Sequence, residues 1–129
     1  MLPQGFSSSN CQAVTPTAKD ALATVDCNQN TISSGVSMAR FNLYPDKTTL
    51  DSHFKSGTAE DTVQDCPGGL QSPGTWHYES TPDQVAGQLV CGTYKATPDL
   101  MWSDNAQLLL GDIQGSDLTA LYQWWAKYS

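Results

Sequence analysis

Nucleophilic or acid–base chemistry in this chain would have to pass through His53 or His77, its two histidines, because a Ser-His-Asp or Cys-His site needs an imidazole beside its nucleophile. His77 lies between Trp76 and Tyr78, and a small hydrolase would pair it with Glu79 or an aspartate. No GxSxG turn accompanies either histidine. The expectation is therefore a partly buried strand position for His77 and a solvated one, on a helix, for His53. Asp99, Asp104, Asp112 and Asp117 fall near successive turns and invite a metal reading, but they lack the alternating DxDxDG pattern of a calcium loop. Asp104 is better used in a hairpin turn and Asp117 at a helix start. Glu60 and Glu79 are the two glutamates, and no pattern separates an acid from a base for glycoside hydrolysis. Cys66-Pro67-Gly68-Gly69 has no following lysine and so is not a phosphate loop. No catalytic residue, metal or cofactor is expected.

Aromatic residues carry more. Trp76, Tyr78, Tyr94, Trp102, Trp124 and Trp125 supply the ring surfaces that stack on sugars or apolar ligands and anchor protein partners. Trp124 and Trp125 point about 100° apart on a helix, so they cannot share the centre of one buried face. Trp125 is assigned to the core and Trp124 to its flank or to an exposed contact. The candidate binding surface is Trp76, His77, Tyr78 and Trp124.

These side chains have to be held by a small framework. The chain has 129 residues with 39% hydrophobic content, enough for one domain. Its net charge of −7, from 13 acidic residues against six scattered lysines and arginines, disfavours nucleic acid and anionic headgroups. No stretch is apolar enough to span a membrane. Cys11, Cys27, Cys66 and Cys91 are even in number and form no CxxC pair, which favours two disulfides over zinc or four buried cytosolic thiols. Three pairings are formally available. Cys11–Cys27 with Cys66–Cys91 is preferred because each closes a local loop, contributing about 3 kcal/mol. Met1-Leu2-Pro3 lacks the basic and apolar regions of a signal peptide, so an oxidised domain of this kind is expected to be a piece of a longer protein.

Along the chain, residues 1–10 read as a flexible linker and 11–129 as a single domain. Thr15-Pro16 reads as the start of a short helix with Ala18, Ala21 and Leu22 on its inner side. Val36 to Tyr44 alternates as a strand, with Ala39, Phe41 and Leu43 on one face and Arg40 and Asn42 on the other. Asp46 caps a second helix in which Leu50 and Phe54 form an apolar pair, Asp51 pairs with Lys55, and Gly57 is the left-handed terminator. Thr58 to Gly74 is polar and irregular. Trp76 to Tyr78 is a short strand. Gly87 to Tyr128 forms three strands and a helix: a break at Pro98-Asp99, a tight hairpin at Asp104-Asn105, a cap at Ser116, and Leu118, Leu121, Tyr122 and Trp125 on one helical face. The expected fold is α+β, a mainly antiparallel sheet of about five strands with about three helices on one face.

Leu89-Val90-Cys91-Gly92, Leu100-Met101-Trp102-Ser103-Asp104 and Asp117-Leu118 through Leu121-Tyr122-Gln123-Trp124-Trp125 form a recognisable pattern. Leu2-Pro3-x-Gly5-Phe6, Ala21-x-Ala23-Thr24-Val25-x-Cys27 and Leu43-Tyr44 to Phe54 extend it over most of the chain. On these residues the sequence resembles the small extracytoplasmic domains at the C-terminal end of actinobacterial, mycobacterial-type serine/threonine protein kinases and related single-pass membrane proteins. The resemblance implies a location outside the membrane, a tether through a preceding helix, and a role in sensing a cell-envelope ligand or partner. Its motifs are structural, so it carries over no catalytic residue, and the kinase glycine-rich loop, HRD and DFG sequences are absent from these residues. The leading expectation is a non-enzymatic sensor or binding domain. Its rivals are a secreted or lipid-anchored carrier of a small apolar molecule and a small envelope hydrolase using His77.

Overall fold

The computed structural model describes residues 2–129. It is an α+β fold whose eight strands form one antiparallel sheet: β1 (Cys11–Ala13), β2 (Ala23–Cys27), β3 (Met38–Leu43), β4 (Thr62–Gln64), β5 (Gly74–Trp76), β6 (Gly87–Tyr94), β7 (Thr97–Asp104) and β8 (Leu109–Gln114). The order across the sheet is β1-β2-β3-β8-β7-β6-β4, and β5 shares the outer edge of β6 with β4. Among the described residues two helices accompany it, α1 (Lys47–Glu60) and α2 (Leu118–Tyr128). The strand count is higher than the sequence implies because β1 and β4 are three largely exposed residues each, too short to show a period, and are held by pairing.

The helices lie on opposite faces of the sheet, which corrects the expectation of one covered face. Residues directly opposite in a ladder share a face, so Phe41, Gly111, Trp102 and Leu89 line one side, and Asp112, Met101 and Val90 the other. The first side packs with Leu121, Trp124 and Trp125 of α2; the second packs with Leu50 and Phe54 of α1. The continuous apolar run Leu100-Met101-Trp102 is the mark of a strand buried on both faces. Gly111 leaves room for one ring: a Cβ there would come within 2.5 Å of the Trp102 indole.

Asp46 caps α1 by accepting from the Thr49 amide at 2.8 Å, and Leu50 and Phe54 are buried. Gly57 does not end this helix. It lies where a Cβ would meet the Met101 thioether at 2.8 Å, and α1 runs on to Glu60 with Asp61 as C-cap. The ion pair on its exposed side is Lys47 with Asp51, at 2.6 Å, rather than Asp51 with Lys55. The third helix does not form. Ala18 instead donates its amide to Thr24 Oγ1, Asp20 turns the chain with a φ of 66°, and Leu22 is exposed. In β3 Ala39 and Phe41 are buried, whereas Leu43 at the strand end is exposed and Asn42 is buried, accepting from Thr24 Oγ1 at 2.6 Å.

The turn between β6 and β7 sits at Lys95-Ala96, with φ values of 49° and 69°, and Pro98-Asp99 belongs to β7. Neither residue is a habitual turn former, so the stop signal at proline misplaces the turn. Asp117, not Ser116, caps α2 through the Thr119 amide. Trp124 is 3% exposed and belongs to the core.

Residues ahead of Cys11 are part of the packed domain, which corrects their reading as a linker. Phe6 is buried, edge-to-face with Phe41 at 5.5 Å and Trp124 at 5.7 Å, and the Gly5 carbonyl accepts from the Thr31 amide and Asn10 Nδ2. Both cysteine pairs are disulfides, Cys11–Cys27 directly across β1 and β2 and Cys66–Cys91 joining the segment after β4 to β6. Paired cysteines of this kind belong to an oxidising compartment. Among the described residues no helix is long and apolar enough to cross a membrane.

Candidate functional site

The end of β5, the last residue of β7, the start of β8, the C-terminal turn of α2 and the N-terminal segment meet around one side chain, Tyr78. Trp76 closes β5 with its indole Nε1 donating to the Ser103 carbonyl at 2.8 Å, and its ring meets Tyr78 edge-to-face at 4.8 Å and Trp125 at 5.4 Å. That hydrogen bond gives a buried indole N–H its partner and sets the ring's tilt. Tyr78 leaves the strand and donates its hydroxyl to Asp104 Oδ2 at 2.5 Å. Asp104 is buried at the end of β7, where Oδ1 accepts the amides of Ala106 and Gln107 and so shapes the hairpin into β8. The left-handed residue of this hairpin is Leu108, at φ 54°, rather than Asp104 or Asn105. Burial first, and the Asp104 carboxylate second, push the Tyr78 phenol up to about 12, so it remains a donor at any ordinary pH.

Tyr78 separates two clefts. One, of about 200 Å³, has Trp76, Trp102, Leu109 and Tyr128 as apolar walls, Leu2, Pro3 and Gln4 along its edge, and Gln107 and Ser129 on its rim. The other, of about 330 Å³, is lined by Thr81, Gln84, Val85, Ala86, Asn105 and Ala106. Both include Tyr78 and Asp104. Aromatic walls with a few placed amides and carbonyls are the composition of a small-molecule site.

Of the four surface residues read from the sequence, the fold brings Trp76 and Tyr78 together at this site. His77, between them, is exposed and makes no hydrogen bond to Glu79, which corrects its reading as a partly buried strand residue. Trp124 faces Phe6 and Trp102 inside the core. His53 is half-buried, bonded through Nε2 to Asp20 Oδ2 at 2.9 Å and stacked on Tyr44 at 4.7 Å. Asp104 and Asp117 serve the hairpin and the helix start. Tyr128, Leu109 and the segment Leu2 to Gln4 join the site without a sequence signal, because their proximity depends on chain ends meeting across the sheet.

Asp99 and Asp112 do come together, joined by Asp61 from the end of α1. Among the described residues no group of three or more His, Cys, Asp or Glu side chains is placed to hold a metal ion. Comparison of the chain with models of known families, with characterised proteins and with solved structures finds no match.

Proposed function

We propose that this chain is a non-enzymatic extracytoplasmic sensor or binding domain of a membrane-tethered signalling protein, and that it takes a small ring-bearing ligand in the clefts beside Tyr78. The observation that carries the reading is the Trp76–Tyr78–Asp104 arrangement, in which a half-exposed ring is pinned by a buried carboxylate between two open clefts. A pinned aromatic side chain offers contact area without paying ordering entropy on binding. The two disulfides support an oxidising location, and the resemblance to kinase-borne envelope domains supports the tether. The carrier reading draws less support, since these clefts open to solvent and have polar rims, where an apolar cargo needs a closed apolar cavity. The hydrolase reading draws little, with His77 exposed and not hydrogen-bonded to Glu79.

Ligand-observed NMR with a panel of soluble pyranose and aromatic fragments tests it. Fragments should bind the wild-type domain and lose binding at least ~10-fold in Tyr78→Ala. Binding unaffected by that substitution, or no binding by any fragment, would reject the site. Uptake of a fluorescent lipid probe would favour the carrier instead.

A further inference from the structure

Away from the clefts, three carboxyl groups meet in one seam: Asp61 at the end of α1, Asp99 in β7 and Asp112 in β8. Asp99 is 2% exposed and lies within hydrogen-bonding reach of Asp61, Asp112 and Gln114. Asp61 Oδ2, Asp99 Oδ1 and Asp112 Oδ1 are buried atoms with no protein donor. The other charged groups acting on the seam are Glu60 from α1 and Arg40 from β3, and the Arg40 guanidinium is already forked onto Asp26 of β2 at 2.6 and 2.9 Å. Gly92 of β6, opposite Asp99, adds no charge; there the backbone of β4 packs so closely that a Cβ would fall 2.3 Å from the Thr62 carbonyl oxygen.

Carboxylate oxygens facing each other without a donor repel, and a proton placed between them turns the contact into an O–H···O hydrogen bond. Asp99 is buried, its Oδ1 lacks a donor and it lies between two further carboxyls, which points to bound protons. We propose that Asp61, Asp99 and Asp112 form a proton-held latch that clamps the C-terminal end of α1 and strand β4 onto the middle of the sheet. In support, burial and the neighbouring carboxyls push Asp61 and Asp99 up to about 8, and burial raises Asp112 to about 6. When the protons leave, Asp99 and Asp112 are fixed in paired strands, so Asp61 is the member that moves. The three-residue edge strand β4 loosens with it, while the Cys66–Cys91 bridge keeps its far side attached. The latch is independent of the clefts at Tyr78.

Hydrogen exchange of the intact domain at about pH 6 and about pH 8, corrected for the intrinsic rate, reads the latch directly. Protection at Glu60 to Gln64 should fall ~10-fold or more relative to α2 as the pH rises. Asp99→Asn, which supplies a donor at every pH, should remove that difference. Equal loss in β4 and α2, or a difference that survives Asp99→Asn, overturns the latch. Should that variant fail to fold, the infrared C=O band of protonated carboxyl groups in the wild-type domain at neutral pH decides: its presence supports the latch and its absence overturns it.

Discussion

Asp99 and Asp112 stand on the same face of neighbouring strands two rungs apart, Asp99 opposite Gln114 and Asp112 opposite Met101, so a buried and a partly buried acidic side chain sit close together on the sheet. Their raised folded-state pKa values lie above the ordinary carboxyl value that the unfolded chain would show. The native state then binds more protons than the unfolded state, and the slope of stability against pH is negative. The contribution is fully present below about pH 4 and is lost as pH rises through about 6 and about 8. Calorimetry should find the melting temperature at least ~5 °C lower at about pH 8 than at about pH 5. A melting temperature that rises over this interval would contradict the assignment.

Tyr78→Phe removes one of the hydrogen bonds to Asp104, which keeps the Ala106 and Gln107 amides as donors. Urea unfolding should show a loss of about 1 kcal/mol. In an alkaline absorbance titration the variant should lack the tyrosine that ionises near 12.

Phe6→Ala empties a core position between Phe41 and Trp124. The expected cost is about 3 to 5 kcal/mol, the range for removing a buried phenylalanine ring. Residues before Cys11 acting merely as a linker would leave the unfolding midpoint unchanged.

Replacing Cys66 and Cys91 together by alanine removes the closure of a loop spanning 25 residues between its ends. Stability should drop by about 3 kcal/mol, with the exchange protection of β4 falling first because that strand is short and lies at an edge. Peptide mapping without reduction should recover Cys11 linked to Cys27 and Cys66 linked to Cys91.

Much of the framework is legible from local chemistry. Asp46 ahead of Leu50 and Phe54 marks a capped amphipathic helix, and the spacing of Leu118, Leu121 and Trp125 marks another. The cysteine pairing follows from local loops, and the late strands follow from β-prone runs, although the breaker Pro98-Asp99 falls inside β7 and not at its turn. Apart from the disulfides, whose cysteines are 16 and 25 positions apart, such signals need residues only a few positions apart, which is why they survive in the sequence alone.

What the tertiary structure decided are the relations between distant segments. A short strand such as Thr62–Gln64 exists because β6 offers it an edge, and the Lys95-Ala96 turn adopts positive φ because the flanking strands pair around it. Trp124 is core because Phe6 and Trp102 pack against it, and Leu100-Met101-Trp102 divides between two faces because each face has its own helix. Tyr78 with Asp104, and Asp61 with Asp99 and Asp112, meet through sheet register and helix placement, where side-chain packing and charge act at distances of a few ångströms whatever the separation along the chain.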